Sequence, residues 1–244
     1  MVWIYTLLSV LIVSLVSLLG AVGLYFSTKK LEKILIYLVS LAAGTLLGGA
    51  FLHLIPEAMD NVGDEALIYV LVGFLFFFVL EKIVHWRHCH KVACDAHPHA
   101  FSYVILVGDT IHNFIDGVVI AASFMMSIPL GVSTTIAVIF HEIPQEIGDF
   151  GSLIYAGFSK SKALLFNFLS ALAAVLGAVI VLIIGNGFLE ISKYMIPIAA
   201  GGFIYIAAVD LLPEMHKINE IKKSFKQLLV VVLGIIIMWL LLRI

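Results

Sequence analysis

The sequence predicts an all-α integral membrane protein, with eight transmembrane helices in a 3+2+3 arrangement containing an inverted repeat. Three observations carry this reading. First, 62% of the 244 residues are hydrophobic and 12% are charged, whereas soluble domains carry roughly 45–50% and about 25%. So little charge cannot clothe a solvated surface, so most of the chain faces lipid or protein. Second, the apolar residues fall into eight runs of the length (~20 residues) that crosses a bilayer core as a helix. Third, two of those runs resemble each other in sequence.

The runs cover about 2–26, 34–58, 67–88, 101–127, 131–157, 162–186, 192–212 and 227–244. Lipid offers no partner to backbone polar groups, so each run is a helix rather than a strand of an open sheet. The first run has no Lys or Arg before it and no A-x-A-like cleavage site, so it reads as a retained span and not a signal peptide. The second carries His53, Pro56 and Glu57 near its end, and the seventh carries Asp210, Pro213, Glu214 and His216. Between the third and fourth lies HWRHCHKVACDAHPH, in the loop 85–100, with Cys89, Cys94 and the histidines 85, 88, 90, 97 and 99. Its composition suits loose metal binding, although its spacing matches no closed zinc finger. The sixth run offers only Asn167 and Ser170 as candidate polar ligands.

Basic residues set the orientation. With the N-terminus outside, the inner side holds Lys29, Lys30, Lys33, Lys82, Arg87, Lys91, Lys160, Lys162, Lys217, Lys222, Lys223 and Lys226, and the outer side only Lys193 and Arg243. Both termini are then extracytoplasmic, and a plasma-membrane location is expected. The His-rich loop is cytoplasmic, where a structural disulfide between Cys89 and Cys94 is not expected. Asp60, Asp64 and Glu65 fall on an outer loop, where a merely solvated role is the simpler reading.

The repeat pairs LAAGTLLGGAFLHLIPEAM (41–59) with IAAGGFIYIAAVDLLPEMH (198–216), 157 residues on. Ala42, Ala43, Gly44, Ala50, Leu54, Pro56 and Glu57 recur as Ala199, Ala200, Gly201, Ala207, Leu211, Pro213 and Glu214. The two copies run in opposite directions across the membrane, which is the mark of an inverted repeat and is common in secondary transporters. Spans one to three then mirror six to eight, around a central pair. Proline frees a helical carbonyl, so Pro56 and Pro213 beside Glu57 and Glu214 are candidate gates.

The central pair is unusually polar. Span four carries Asp109, His112, Asn113 and Asp116; span five carries His141, Glu142, Gln145, Glu146 and Asp149. An ionisable group in a membrane costs at least ~2.5–3.5 kcal/mol on insertion scales, so these face an interior path and find partners there. His112 and Asp116 are i and i+4 on one helix face. His141 and Gln145 repeat the spacing, with Glu142 and Glu146 in a stripe beside them and Asn113 able to turn toward it. Imidazole with carboxylate suits zinc and other first-row divalent ions. Pro144 leaves the Phe140 carbonyl without its helical donor, beside His141.

HEIPQ is one residue from the H-E-x-x-H zinc-protease signature, but Gln145 is a poor zinc ligand and the His112/Asp116 pair would be left unexplained. Intramembrane haem ligation by His112 and His141 does not call for so many carboxylates. A cation channel is a further alternative, against which the repeat argues for alternating access.

Together, HNFIDG and HEIPQEIGDF resemble the paired signatures of the ZIP (Zrt-, Irt-like protein) family of divalent metal transporters, near its HNFxDG/HExPHE branch and in the size range of prokaryotic members. The likeness takes in nearly the whole chain. It implies a binuclear site at mid-membrane, with His112, Asp116, His141 and Gln145 on the transported ion and Asn113, Glu142 and Glu146 shaping a second site. It also implies a homodimer in the lipid bilayer with no prosthetic group and no nucleic-acid partner, moving zinc, iron, manganese or cadmium toward the cytoplasm with handover at the His-rich loop. In this family the central helices move as a unit against a scaffold. Gln145 departs from the usual His, which predicts a weaker or less zinc-selective site.

Overall fold

In a computed structural model the described residues are 1–19, 28–86, 98–155, 157–218 and 220–243; at 28–33, 83–86, 98–105, 152, 155, 186, 188 and 189 the backbone alone is described. Every regular element among them is helical, in the order α1 (Val2–Val16), α2 (Thr28–Gly49), α3 (Ile55–Val62), α4 (Ala66–Trp86), α5 (Pro98–Met126), α6 (Ile128–Tyr155), α7 (Lys160–Ala171), α8 (Ala173–Ile184), α9 (Asn186–Tyr205), α10 (Leu212–His216) and α11 (Ile221–Leu241). Cys89, Cys94, His88, His90 and His97 lie outside the described residues, as do the side chains of His85 and His99.

Among the described residues, five stretches are long and apolar enough to cross a membrane: Val2–Leu19, Ile34–Lys82, Lys160–Ile184, Glu190–His216 and Ile221–Leu241. The second, of 49 residues, is about twice the length one crossing needs. Its α-helical course is interrupted at Gly63, whose φ of 66° suits a residue without Cβ. Helices α5 and α6 are not among the five, because their polar residues dilute them. The chain is thus an all-helical, multi-pass membrane protein.

Two breaks in regularity match each other. Helix α2 passes into a π-turn, Ala50–Leu54, before α3, and α9 passes into a π-turn, Ile206–Leu211, before α10. Pro56 and Pro213 stand in the first turn of the helix that follows each. Proline lacks the N–H that would close a bond four residues back, and the wider turn re-spaces the carbonyls it orphans. By contrast, α6 runs unbroken through Pro144.

Without a hydrophobic drive between helices in lipid, close approach depends on small residues. Helix α2 packs on α11, and α4 on α9. A Cβ on Gly44 would lie 2.2 Å from the Val231 carbonyl oxygen, and one on Gly234 would lie 2.7 Å from that of Leu41. Across the α4–α9 contact, a Cβ on Gly201 would lie 2.0 Å from the Val70 oxygen, and one on Gly73 2.0 Å from that of Ile198. Each contact of the first pair maps onto one of the second when α2 is shifted by 157 residues onto α9 and α4 by 161 onto α11.

Helices α5 and α6 pack on one another and are flanked by α8, α2, α1 and α9. The apolar core around them includes Leu46, Ile120, Phe124, Val138, Ile196, Phe203 and Met238. Large apolar side chains on α1, α4, α8 and α11 point outward, such as Leu71 at 64% and Ile183 at 69% exposure. Polar groups are therefore concentrated at the centre and apolar ones at the rim.

Candidate metal centre

His112 and Asp116, one turn apart on α5, meet His141 and Glu142 of α6. The two Nε2 atoms are 3.1 Å apart. Asp116 Oδ2 lies 3.7 Å from His112 Nε2 and 3.3 Å from His141 Nε2. Glu142 Oε1 lies 3.5 Å and 3.2 Å from the same two atoms. A tetrahedral zinc site with bonds near 2.0–2.2 Å has ligand-to-ligand edges of about 3.4 Å. All five measured edges fall around that value. Four donor atoms from two helices thus already enclose a space of the size one ion needs.

The imidazole orientation agrees. His141 Nδ1 is 3.2 Å from the Ala137 carbonyl oxygen, to which it donates as N–H, leaving the Nε2 lone pair aimed into the cluster. Phe203 lies against His141, with ring centres 6.0 Å apart, and Phe77 against His112 at 6.4 Å, which limits water around the donors. Asp116, His141 and Glu142 have side chains 3%, 1% and 1% exposed, and His112 is the most open at 14%.

A second group adjoins the first. Asp109, Glu142 and Glu146 bring carboxylate oxygens within 4.8 Å of one another, with Glu142 common to both groups. Asn113 Nδ2 donates to Asp109 Oδ1 at 2.8 Å, and Gln145 Nε2 donates to the same oxygen at 3.4 Å. Asn167 on α7 donates to Glu146 Oε2 and, at 3.4 Å, to the Ser17 carbonyl after α1. Gln145 therefore faces Asp109, while Glu142 stands with the two histidines. Asp109 is the carboxylate of this group that the motif spacing did not single out. Its signal was its position, one turn before Asn113.

Acceptors outnumber donors here. Asp109 Oδ2, Asn113 Oδ1, Asp116 Oδ2, both Glu142 oxygens, Glu146 Oε1 and Asn167 Oδ1 are buried without a hydrogen-bond donor. Each orphaned buried acceptor costs about 1–3 kcal/mol, and a charged one costs more. Lone pairs of one kind converging in a buried space call for a cation. A cavity of about 310 Å³ reaches this region, lined among others by Phe77, Glu81, Asp109, His112, Gln145 and Asp149. His53 is elsewhere, bonded to the Met238 carbonyl oxygen at 2.8 Å between the α2 π-turn and α11. Glu57 and Glu214 bond locally, to Asn61 and Lys217.

With that geometry in view, the family model described as ZIP Zinc transporter matches residues 1–101 and 87–242. The chain belongs to the ZIP family. Zinc transporter ZIP13 of Pongo abelii is 35% identical over 82% of this chain and 65% of its own length. Zinc transporter zipt-7.1 of Caenorhabditis briggsae is 30% identical over 98% of the chain and 78% of its own length. Metal cation symporter ZIP8 of Rattus norvegicus is 31% identical over 93% and 65%. The chain thus spans about two thirds of the length of the ZIP13 and ZIP8 relatives. ZIP proteins are transporters and not enzymes, which removes the protease reading of HEIPQ.

Proposed function

We propose that this ZIP chain carries divalent transition-metal ions, zinc foremost with iron, manganese and cadmium as further substrates, across the plasma membrane toward the cytoplasm. The observation that carries the reading is the convergence of His112, Asp116, His141 and Glu142 at 3.1–3.7 Å. Two imidazoles and two carboxylates suit zinc and its first-row neighbours. The names of the relatives, zinc transporters and a metal cation symporter, point the same way.

In this reading the dehydrated ion sits in that four-ligand cluster. Asn113, Glu146 and Gln145, with Asp109, shape a second, all-oxygen site through the shared Glu142. The scaffold is eight spans in a 3+2+3 arrangement with both termini extracytoplasmic: α1, α2–α3 and α4 mirror α7–α8, α9–α10 and α11 around α5 and α6. The exchange of glycine contacts between α2–α11 and α9–α4, and the matched π-turns, support that symmetry. The cavity beside His112 lies toward the C-terminal halves of α4, α6 and α9, the ends that the lysine distribution assigns to the inner side. A homodimer is the assembly that goes with this reading.

Uptake of zinc, iron, manganese and cadmium into proteoliposomes, compared with His112→Ala, tests the reading. Transport of at least one ion by the intact protein and its loss in the variant is the expected result. Equal uptake by both would remove the cluster from the path.

A further inference from the structure

Helices α2 and α11 run side by side in one direction. A Cβ on Gly44 would press on Val231, and one on Gly48 would lie 2.7 Å from the Met238 Cβ. On the N-terminal side of that crossing neither helix has a glycine. There the pair opens into a groove of about 400 Å³, walled by Ile34, Tyr37, Leu38 and Leu41 on α2 and by Val230 and Leu233 on α11. Among the described residues of this lining, the Tyr37 hydroxyl is the one polar side-chain group. The α11 wall continues into charge. Lys222, Lys226, Val230 and Leu233 follow one another at three- and four-residue steps, so they share one face of the helix. Lys222 and Lys226 are exposed, and among the described residues neither has an acidic partner. The nearest carboxylates in sequence, Glu214 and Glu220, pair with Lys217 and Lys223 instead.

We propose that this groove binds an anionic phospholipid, with an acyl chain lying between α2 and α11 and the phosphate held by the Lys222 and Lys226 ammonium groups. The site is independent of the ion at the centre, and it rests on the proposed orientation only for the leaflet, the inner one, that supplies the lipid. Any apolar groove facing the bilayer is filled by acyl chains; capture of the headgroup is what makes a site. Lysine stems lie along apolar surface and carry their charge to the headgroup level. Two like charges at i and i+4 repel one another, and an anion between them removes the repulsion. Basic pockets between spans on the cytoplasmic side take anionic headgroups for this reason. A zwitterionic lipid brings its own cation, which competes with the lysines for the phosphate. The ring of Tyr37, apolar with a hydroxyl edge, suits the boundary between chain and headgroup. The lysines also argue against a second copy of this chain as the occupant, since two such faces would bring like charges together. On the far side of the glycine crossing, His53 ties α2 to the Met238 carbonyl oxygen at 2.8 Å. The lipid braces the other half of the pair, where no glycine contact does.

The test is native mass spectrometry of the purified full chain in detergent, titrated with phosphatidylglycerol or with phosphatidylcholine of the same acyl chains, alongside melting temperatures with each lipid. The intact protein is expected to retain phosphatidylglycerol in preference and to melt higher with it. Lys222→Gln combined with Lys226→Gln lowers that affinity by roughly fivefold for each lysine and abolishes the preference. Lys160→Gln combined with Lys162→Gln makes the same change of charge at the start of α7 and leaves lipid binding unchanged. Val230→Phe fills the groove and weakens retention of both lipids without altering a charge. Equal retention of the two lipids by the intact protein overturns the proposal. So does an equal loss in the Lys160/Lys162 pair, which assigns the effect to the general surface potential, and so does unchanged retention in Val230→Phe. Displacement of the lipid by soluble glycerol phosphate at a comparable concentration overturns it in favour of a free-anion site. Conversion of dimer to monomer in the Lys222/Lys226 variant, with lipid retention unaltered, overturns it in favour of a contact between two copies of the chain.

Discussion

His141 shows what the centre asks of one side chain: Nδ1 is tied to the Ala137 carbonyl so that Nε2 is fixed in the cluster. Replacing a residue that merely supports a ligand typically costs 10–100-fold in metal affinity. On the proposed reading His141→Ala removes a ligand outright, and it is expected to weaken zinc binding by roughly a hundredfold or more in competition with a chelating dye. Gln145 is the informative neighbour. Its amide donates to Asp109 at 3.4 Å, and an imidazole in its place would offer nitrogen to the ion. Gln145→His is expected to tighten zinc binding and slow its release, measured in the same competition and by stopped-flow release; no change in either would show that position 145 does not reach the ion. The spacing of HNFIDG and HEIPQE made the two histidines and Asp116 legible. The family resemblance put Gln145 fourth on the ion and Glu142 at the second site, whereas the structure groups Glu142 with the two histidines and turns Gln145 to Asp109, because side-chain rotation, which spacing does not fix, decides between them. Glu81 was not legible at all. A lone carboxylate ending an apolar run reads as an interface residue, and its phenol partner is 124 residues away.

At the scale of the element, the helices were legible from apolar runs, but their ends and irregularities were not. Helices α9 and α11 begin at Asn186 and Ile221, about six residues before the expected runs, because a helix satisfies its own backbone beyond the apolar core. Pro56 and Pro213 marked sites of freed carbonyls without revealing that a π-turn would absorb the strain. The repeated glycines carry a stability prediction. A Cβ at Gly44 or Gly201 would press on a backbone carbonyl that cannot rotate away, so Gly44→Ala and Gly201→Ala are each expected to destabilise the protein by about 1–3 kcal/mol, the usual cost of overpacking. Gly151 has nothing within 4 Å of its would-be Cβ, so Gly151→Ala is the control. It should leave the melting temperature in detergent unchanged or slightly raised, as alanine suits a helix better than glycine.

For the whole molecule, the sequence made the all-helical, membrane-spanning character legible because lipid permits so few backbone solutions. The walls of the cavity were not legible, since they join α4 and α9 to α5 and α6 across long stretches of chain. A buried surplus of acceptors couples ion binding to stability of the fold. Zinc at a hundred times its dissociation constant is expected to stabilise the protein by about 2.7 kcal/mol, provided the unfolded chain binds none. The measurement is a rise in melting temperature with zinc that a chelator reverses and that His112→Ala lacks. The central claim, that His112, Asp116, His141 and Glu142 hold the transported ion, is tested most directly by anomalous X-ray scattering at the zinc edge from crystals grown with zinc. The account predicts a peak within about 2.0–2.2 Å of all four donor atoms. Zinc peaks confined to other parts of the chain, with this cluster vacant, would contradict it.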